Sequence, residues 1–332
     1  MDRAGQLRRW LQSALGGTDF DIAPASDDAS FRRYFRVRGD GARPSLIAMD
    51  APPDKEDCRQ FVRVAHLFRE AGVHVPEIRA QDLEQGFLLL SDLGRATYLD
   101  VLDDGSAGEL YRDASESLLR IQLASRQGVL PDYDRELLDR EVRLFADWYL
   151  ERQLGRKLDA AQRATLEQSF SALLENNLRQ PRVFVHRDYH SRNLMACEPR
   201  PGILDFQDAV YGPITYDLVS LLRDAYVSWD EERVLDWTIR YWERAREENL
   251  PVPSDFADFY RDFEWMGAQR QLKVLGIFSR LHLRDGKDGY LRDQPRVMRY
   301  LRATCRRYRE LAGLARLIEE FEPTEKRVGY TS

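Results

Sequence analysis

Val185-His186-Arg187-Asp188-Tyr189-His190-Ser191-Arg192-Asn193-Leu194, followed by Ile203-Leu204-Asp205-Phe206-Gln207-Asp208, is the most informative stretch of the chain. Asn193 comes five residues after Asp188, and Asp205 seventeen residues after it. Moving a phosphoryl group to an alcohol requires a carboxylate that orients the attacking hydroxyl and accepts its proton. It also requires oxygen ligands that hold Mg²⁺ against the nucleotide phosphates. Asp188 is the expected carboxylate for the hydroxyl, and Asn193 and Asp205 are the expected metal ligands. Taken singly these residues say little, since a lone aspartate is usually a turn or cap residue. A lone His186 is likewise usually structural. The spacing of the set is what points to chemistry.

Working outward, the N-terminal part is strand-rich. After an amphipathic first helix, Asp21 to Ala25, Phe31 to Arg38 and Ser45 to Met49 read as strands, the last two joined by the turn Gly39-Asp40-Gly41. Lys55 to Ala71 reads as a helix ending at Gly72, and Val73 to Ile78 and Gly86 to Leu90 read again as strands. From Asp103 the period becomes helical, with long amphipathic segments at Ala107 to Arg126, Arg135 to Gln153 and Ala160 to Leu178. The quoted stretch is a short β interlude in an otherwise helical remainder. The expected class is α+β: a small β-rich lobe over residues 1–91 and a large helical lobe over 92–332, hinged near Leu90 to Asp92.

Composition narrows the setting. The 332 residues carry 50 basic and 56 acidic side chains, a net charge of −6, with both signs interspersed. A nucleic-acid-binding domain would be strongly basic, so that partner is not expected. No apolar run approaches the ~20 residues of a membrane span, and the N-terminus lacks an apolar signal core. Three scattered cysteines suit reduced thiols rather than a disulfide frame. A soluble, cytoplasmic chain is expected, and nothing in it calls for an obligate protein partner.

His186-x-Asp188-x-His190-x-x-Asn193 with Leu204-Asp205-Phe206 resembles the aminoglycoside phosphotransferase-like family of small-molecule kinases, which share the protein-kinase-like two-lobed fold. His190 stands where protein kinases usually carry lysine, and Arg187 replaces the family's more usual glycine. Tyr211-Gly212-Pro213-Ile214-Thr215-Tyr216-Asp217-Leu218 is similar to a further family segment. The resemblance implies ATP and Mg²⁺ as cofactors, Asp188 as catalytic residue and Asp217, His186 and His190 as structural support. It also implies that Val37 and Ala48 enclose the adenine, and that Leu90 and Ser91 present backbone groups to its edge.

The nucleotide lobe departs from that pattern. The loop Ser26-Asp27-Asp28-Ala29-Ser30-Phe31 contains no glycine, and Ile47-Ala48-Met49-Asp50 ends in Asp where the family pattern has Lys. No glutamate occupies the expected pairing position among Gln60, Phe61 and Arg63. Arg33 shares a strand face with Phe35 and Val37 by alternation, and is expected to take over phosphate neutralisation with Asp50 orienting it.

Substrate choice is expected in the helical lobe. Residues 251–310 hold thirteen basic against eight acidic side chains, which favours a neutral or anionic acceptor over a polycation. Arg270 and Lys273 share a helical stripe, and Trp148 and Trp265 are candidate platforms for a sugar ring. Two blocks, Ser30 to Val37 with Met49 to Pro53 and Trp265 to Gly276, resemble bacterial cell-wall-recycling kinases acting on N-acetylmuramic acid and N-acetylglucosamine at the anomeric carbon. That resemblance implies an amino-sugar 1-kinase of peptidoglycan recycling. A kinase of an aminoglycoside, homoserine or choline, and a nucleotide-binding pseudokinase, are the competing expectations.

Overall fold

A computed structural model describes residues 2–26, 31–39 and 44–322. The loop at 27–30 and residues 40–41 of the expected turn lie outside them. Backbone contacts divide the chain into two compact units, Met1–Ile121 with Arg192–Ala209 and Gln122–Ser191 with Val210–Ser332. The first unit therefore runs past residue 91 and takes in the segment that carries Asn193 and Asp205.

The first unit is built on a five-stranded antiparallel sheet. Its strands are β1 (Phe20–Ser26), β2 (Arg33–Gly39), β3 (Leu46–Asp50), β4 (Ile78–Asp82) and β5 (Phe87–Ser91), in the order β1-β2-β3-β5-β4. Helix α1 (Arg3–Leu15) starts where the Asp2 carboxylate accepts the Gly5 N–H at 2.9 Å, and stops at Gly16 with φ 70°. Leu7 and Leu11, one turn apart, pack with Phe20, Val37, Ala48, Phe87 and Leu89, so α1 covers one face of the sheet. Each of the leucines, Val37 and the phenylalanines, fully buried, contributes about 1.5–3 kcal/mol. Helix α2 (Cys58–Glu70) buries Phe61, Val64, Ala65 and Phe68. The strand expected at Val73 begins only at Ile78, since Pro76 has no N–H to give a ladder. Helices α3 (Tyr98–Val101) and α4 (Ala107–Leu123) follow. The hairpin β6 (Leu194–Met195) and β7 (Gly202–Ile203) is tied to this unit by bridges from Met195 to Thr97 and from Gly202 to His74.

The second unit is helical around one two-stranded ribbon, β8 (Arg182–Val185) with β9 (Val210–Pro213). Its helices are α5 (Arg135–Leu144), α6 (Ala160–Arg179), α7 (Tyr216–Leu222), α8 (Glu231–Glu247), α9 (Phe256–Asp285), α10 (Gln294–Arg307) and α11 (Ala312–Phe321). The single helix expected from Arg135 to Gln153 changes at Phe145 into a π-helix that runs to Gln153. Gly276 of α9 lies against that junction: a Cβ there would collide with the Leu144 backbone carbonyl. Close approach of α9 is possible only without a side chain at 276.

Candidate active site

Strand register decides which side chains the first unit presents to its cavity. Arg33 pairs with Asp50, Phe35 with Ala48 and Val37 with Leu46, while Tyr34 pairs with Met49 and Arg36 with Ile47. Directly opposed residues share a face, so 33, 35 and 37 look the same way as 46, 48 and 50. That is the face under α1. The other face carries Tyr34, Arg36, Ile47 and Leu90, and these line a cavity of about 560 Å³ together with Ser91, Asn193 and Asp205. The expectations for Leu90 and Ser91 thus fall on cavity-lining residues. Those for Arg33, Val37 and Ala48 are corrected, because all three side chains are on the α1 side of the sheet, Val37 and Ala48 buried and Arg33 half exposed.

Asp50 is fully buried there and held by two arginines: Arg3 Nε at 2.8 Å from Oδ1 and Arg33 Nη2 at 2.5 Å from Oδ2. Arg33 orients and neutralises Asp50, the reverse of the expected relation. On the cavity face, Arg36 clamps Asp92 through both nitrogens, at 2.6 and 3.0 Å, and donates to the Gly94 carbonyl at 2.8 Å. This pins the chain just beyond β5.

The Asn193 carbonyl accepts the Leu204 N–H at 2.9 Å, which brings the ends of the β6–β7 hairpin together. Asn193 Nδ2 then lies 3.4 Å from Asp205 Oδ2. Asp205 has φ 61°, and its Oδ1 accepts from Gln207 Nε2 at 2.8 Å and lies 3.6 Å from Arg32 Nη2. Phe206 packs on Phe61 and Phe68 of α2, with ring centroids 4.8 and 5.8 Å away, so the turn is anchored while the Asp205 carboxylate stays reachable. An amide oxygen and a carboxylate are hard donors of the kind Mg²⁺ takes. Among the described residues no group of three or more His, Cys, Asp or Glu could hold a metal. The pair therefore fits an ion whose remaining ligands are water and phosphate oxygens rather than an all-protein cage.

In the second unit Asp188 sits in a loop braced at both ends by buried carboxylates. Asp217, in the first turn of α7, accepts the N–H groups of His186 and Arg187 at 2.6 and 3.0 Å. Asp224, just past that helix, accepts the N–H of Ser191 at 2.9 Å and of Tyr226 at 2.8 Å. His186 Nδ1 accepts the Asp188 N–H at 3.2 Å, and the His190 ring meets Tyr226 edge-on. Burial pushes the Asp188 carboxyl up, but Lys273, His190, Arg187 and Arg270 outweigh it and hold the group at about 2. Asp188 is thus a carboxylate at every physiological pH.

Behind the loop lies a buried charge cluster. Glu141 of α5 accepts from Arg187 Nη2 at 2.5 Å and from the Tyr133 hydroxyl, and lies 3.1 Å from Lys273 Nζ. Lys273 also donates to the Tyr216 hydroxyl at 2.9 Å. The structure therefore places Lys273 in this cluster beside Glu141 and Tyr216. Arg270, also buried, acts electrostatically on Asp188 and Asp217. Trp265 is buried in the helical core, with its ring against Tyr308, and half-buried Trp148 lies under the Arg152 guanidinium. Glu141 and Asp224 were not singled out from the sequence. The signal for Glu141 was present: it falls at helical spacing on the stripe of Leu138, Val142 and Phe145, where an apolar residue belongs.

A carboxylate kept ionised in a braced loop, with an Asn–Asp oxygen pair shortly downstream, is the working equipment of a phosphotransferase. The model of the phosphotransferase enzyme family matches residues 21–252, and the chain belongs to that family. The chain is 53% identical to the N-acetylmuramate/N-acetylglucosamine kinase of Pseudomonas aeruginosa over 326 residues, covering 95% of this chain and 96% of that one. It is 50% identical to the protein of the same name from Neisseria meningitidis serogroup B, with both chains covered completely. Among solved structures, ADP-bound aminoglycoside phosphotransferase APH(2'')-Ib shares the fold, with a TM-score of 0.57 at 13% identity over 89% of this chain and 97% of that one. No helix among the described residues is long and apolar enough to cross a membrane.

Proposed function

We propose that this chain is an ATP-dependent sugar kinase that phosphorylates the anomeric hydroxyl of N-acetylmuramic acid and N-acetylglucosamine, in peptidoglycan recycling in the cytoplasm. The observation that carries the reading is the Asp188 carboxylate, held ionised by Lys273, His190, Arg187 and Arg270 within the motif that also supplies Asn193 and Asp205. Identities of 53% and 50% over nearly the whole of both chains with two kinases of that name support the substrate class.

In this reading residues 1–91 are the nucleotide lobe and 92–332 carry the catalytic loop and acceptor side. Asn193 and Asp205 would hold Mg²⁺, which would supply charge neutralisation on the phosphates. Asp188 orients the sugar hydroxyl. An anomeric hydroxyl is more acidic than an ordinary one, so a carboxylate of low basicity suffices as its acceptor, and orientation is the larger contribution. The N–H bonds from His186, Arg187 and Ser191 to Asp217 and Asp224 keep the loop from recoiling when the hydroxyl arrives.

The test is ATP consumption with N-acetylmuramate, N-acetylglucosamine and kanamycin side by side. Turnover of both amino sugars, strongly reduced in Asp188→Asn and absent with kanamycin, is the expected result. No turnover with either amino sugar would overturn the proposal.

A further inference from the structure

The family pattern expects a lysine on the third strand to meet the nucleotide phosphates, and this chain has Asp50 there, turned to the covered face. The residue of β3 that shares the cavity face at that level is Met49, which is apolar. A polyanion in the cavity therefore finds no cation on β3. Among the described residues three arginines line the cavity, Arg36, Arg95 and Arg192, and a further one, Arg32, reaches the cavity-lining Asp205. Arg36 is committed to Asp92 and the Gly94 carbonyl, at the end of the cavity beyond β5. Arg95 lies beside that same clamp. Arg32 precedes β2 with the parity of Tyr34 and Arg36, and its side chain is only 10% exposed.

From this placement we propose that Arg32 is the phosphate-binding cation of this chain, in place of the missing strand lysine. The proposal rests on the ATP-dependent reading above and names the residue that reading leaves open. Arg32 Nη2 stands 3.6 Å from Asp205 Oδ1, an ion-pair separation that is too long for a hydrogen bond. A contact of this kind is Coulombic and non-directional, and a phosphate chain outbids it in two ways. It carries more negative charge than one carboxylate, and it accepts the two parallel N–H bonds that a guanidinium fork supplies. Arg32 also exerts its charge on the Cys58 thiol at the start of α2, offsetting part of the upward push that burial gives it. The guanidinium thus lies at the Asp205 turn, with the start of α2 within its electrostatic reach. Asp205, the proposed metal ligand, marks the position of the phosphates, and Arg32 is the cation whose charge is measured against it.

The experiment is equilibrium binding of ATP and of adenosine, without sugar, to the wild type and to Arg32→Ala, Arg32→Lys, Arg33→Ala and Arg192→Ala, with the melting temperature of each recorded. Removing a charge-assisted contact to phosphate is expected to weaken ATP binding about 10- to 100-fold in Arg32→Ala. Adenosine binding should change less than about twofold, because its phosphate-free contacts are made elsewhere. Arg32→Lys should recover part of the ATP affinity, and Arg33→Ala should leave it unchanged. Equal weakening of ATP and adenosine in Arg32→Ala, or an ATP-selective loss in Arg192→Ala or Arg33→Ala alone, would overturn the assignment. A wild type that binds no ATP at all removes the kinase reading itself and this assignment with it, a result distinct from either of those.

Discussion

Arg187 reaches Glu141 at 2.5 Å from a backbone held at φ 78°. That dihedral is the left-handed region, which costs a side-chain-bearing residue roughly 1–2 kcal/mol, and it explains why glycine is the more usual residue at this place in the family. Here the arginine is retained against the strain because its guanidinium closes a buried cluster with Glu141, Tyr133 and Lys273. The loop that carries Asp188 is therefore tied to α5 and α9 through charge, as well as to Asp217 and Asp224 through backbone hydrogen bonds.

Glu141→Gln leaves Arg187 and Lys273 as buried cations without their shared carboxylate. Breaking a buried pair from one side costs about 3–5 kcal/mol, and urea unfolding should report a loss of that size. Arg187→Gly should cost less, because glycine adopts φ 78° freely and Lys273 still satisfies Glu141. A larger loss in Arg187→Gly than in Glu141→Gln would contradict this ordering.

Asp188→Asn keeps the shape of the side chain and removes the acceptor for the hydroxyl proton. A decrease in kcat of about 10²- to 10⁴-fold is expected, with ATP affinity and melting temperature close to wild type. Loss of ATP binding instead would show that Asp188 acts on the nucleotide.

Asp217 gives a pH signature of defined sign. Burial pushes its carboxyl up to about 7, and the N–H groups of His186 and Arg187 offset only part of that. Its folded value thus lies above the ordinary carboxylate value near 3.8. Between the two values the folded protein holds a proton that the unfolded chain does not. Its contribution to stability is fully present below about pH 4 and is lost as pH rises through about 7. Asp217→Asn cannot titrate. The melting temperature of the wild type relative to this variant should therefore be higher at pH 5 than at pH 8, and a difference that is flat with pH would show the group is not raised.

Gly276→Ala brings two opposed effects into one measurement. Alanine is favoured over glycine inside a helix by about 1 kcal/mol, but its Cβ would strike the Leu144 backbone carbonyl, which cannot rotate away. Overpacking of about 1–3 kcal/mol should win, seen as a lower melting temperature. A rise would mean that α9 can move off the α5 junction at little cost.

The loop around Asp188 was legible in the sequence because phosphoryl-transfer chemistry fixes residue types at fixed spacings, and the sheet because Phe31 to Arg38 and Ser45 to Met49 carry strand-forming residues. Which face of that sheet binds was not legible. Phe31-Arg32-Arg33-Tyr34-Phe35-Arg36 puts an arginine and an aromatic on both faces, so alternation alone gives two equivalent answers. The choice is made by α1, whose Leu7 and Leu11 cover one side, and a covering helix is a tertiary fact. The setting of Lys273 was not legible for a similar reason: charge counted along 251–310 treats every cation alike, whereas Glu141, distant in sequence, pairs with this one. The change to a π-helix at Phe145 likewise has no signature in apolar spacing.

The burial of Asp50 under α1 makes the departure from the lysine pattern a one-way change. Arg3 and Arg33 already surround that position, and Arg3 also bonds the Gln85 carbonyl at 2.5 Å. Reverting it by Asp50→Lys would bury a third positive charge between two arginines that lose their shared carboxylate, and bring none of them nearer the cavity. The substitution that looks like a repair in an alignment would unseat the N-terminal helix. Asp50 and Arg3 thus form one electrostatic unit across the strand–helix contact, and a change at either is felt at the other.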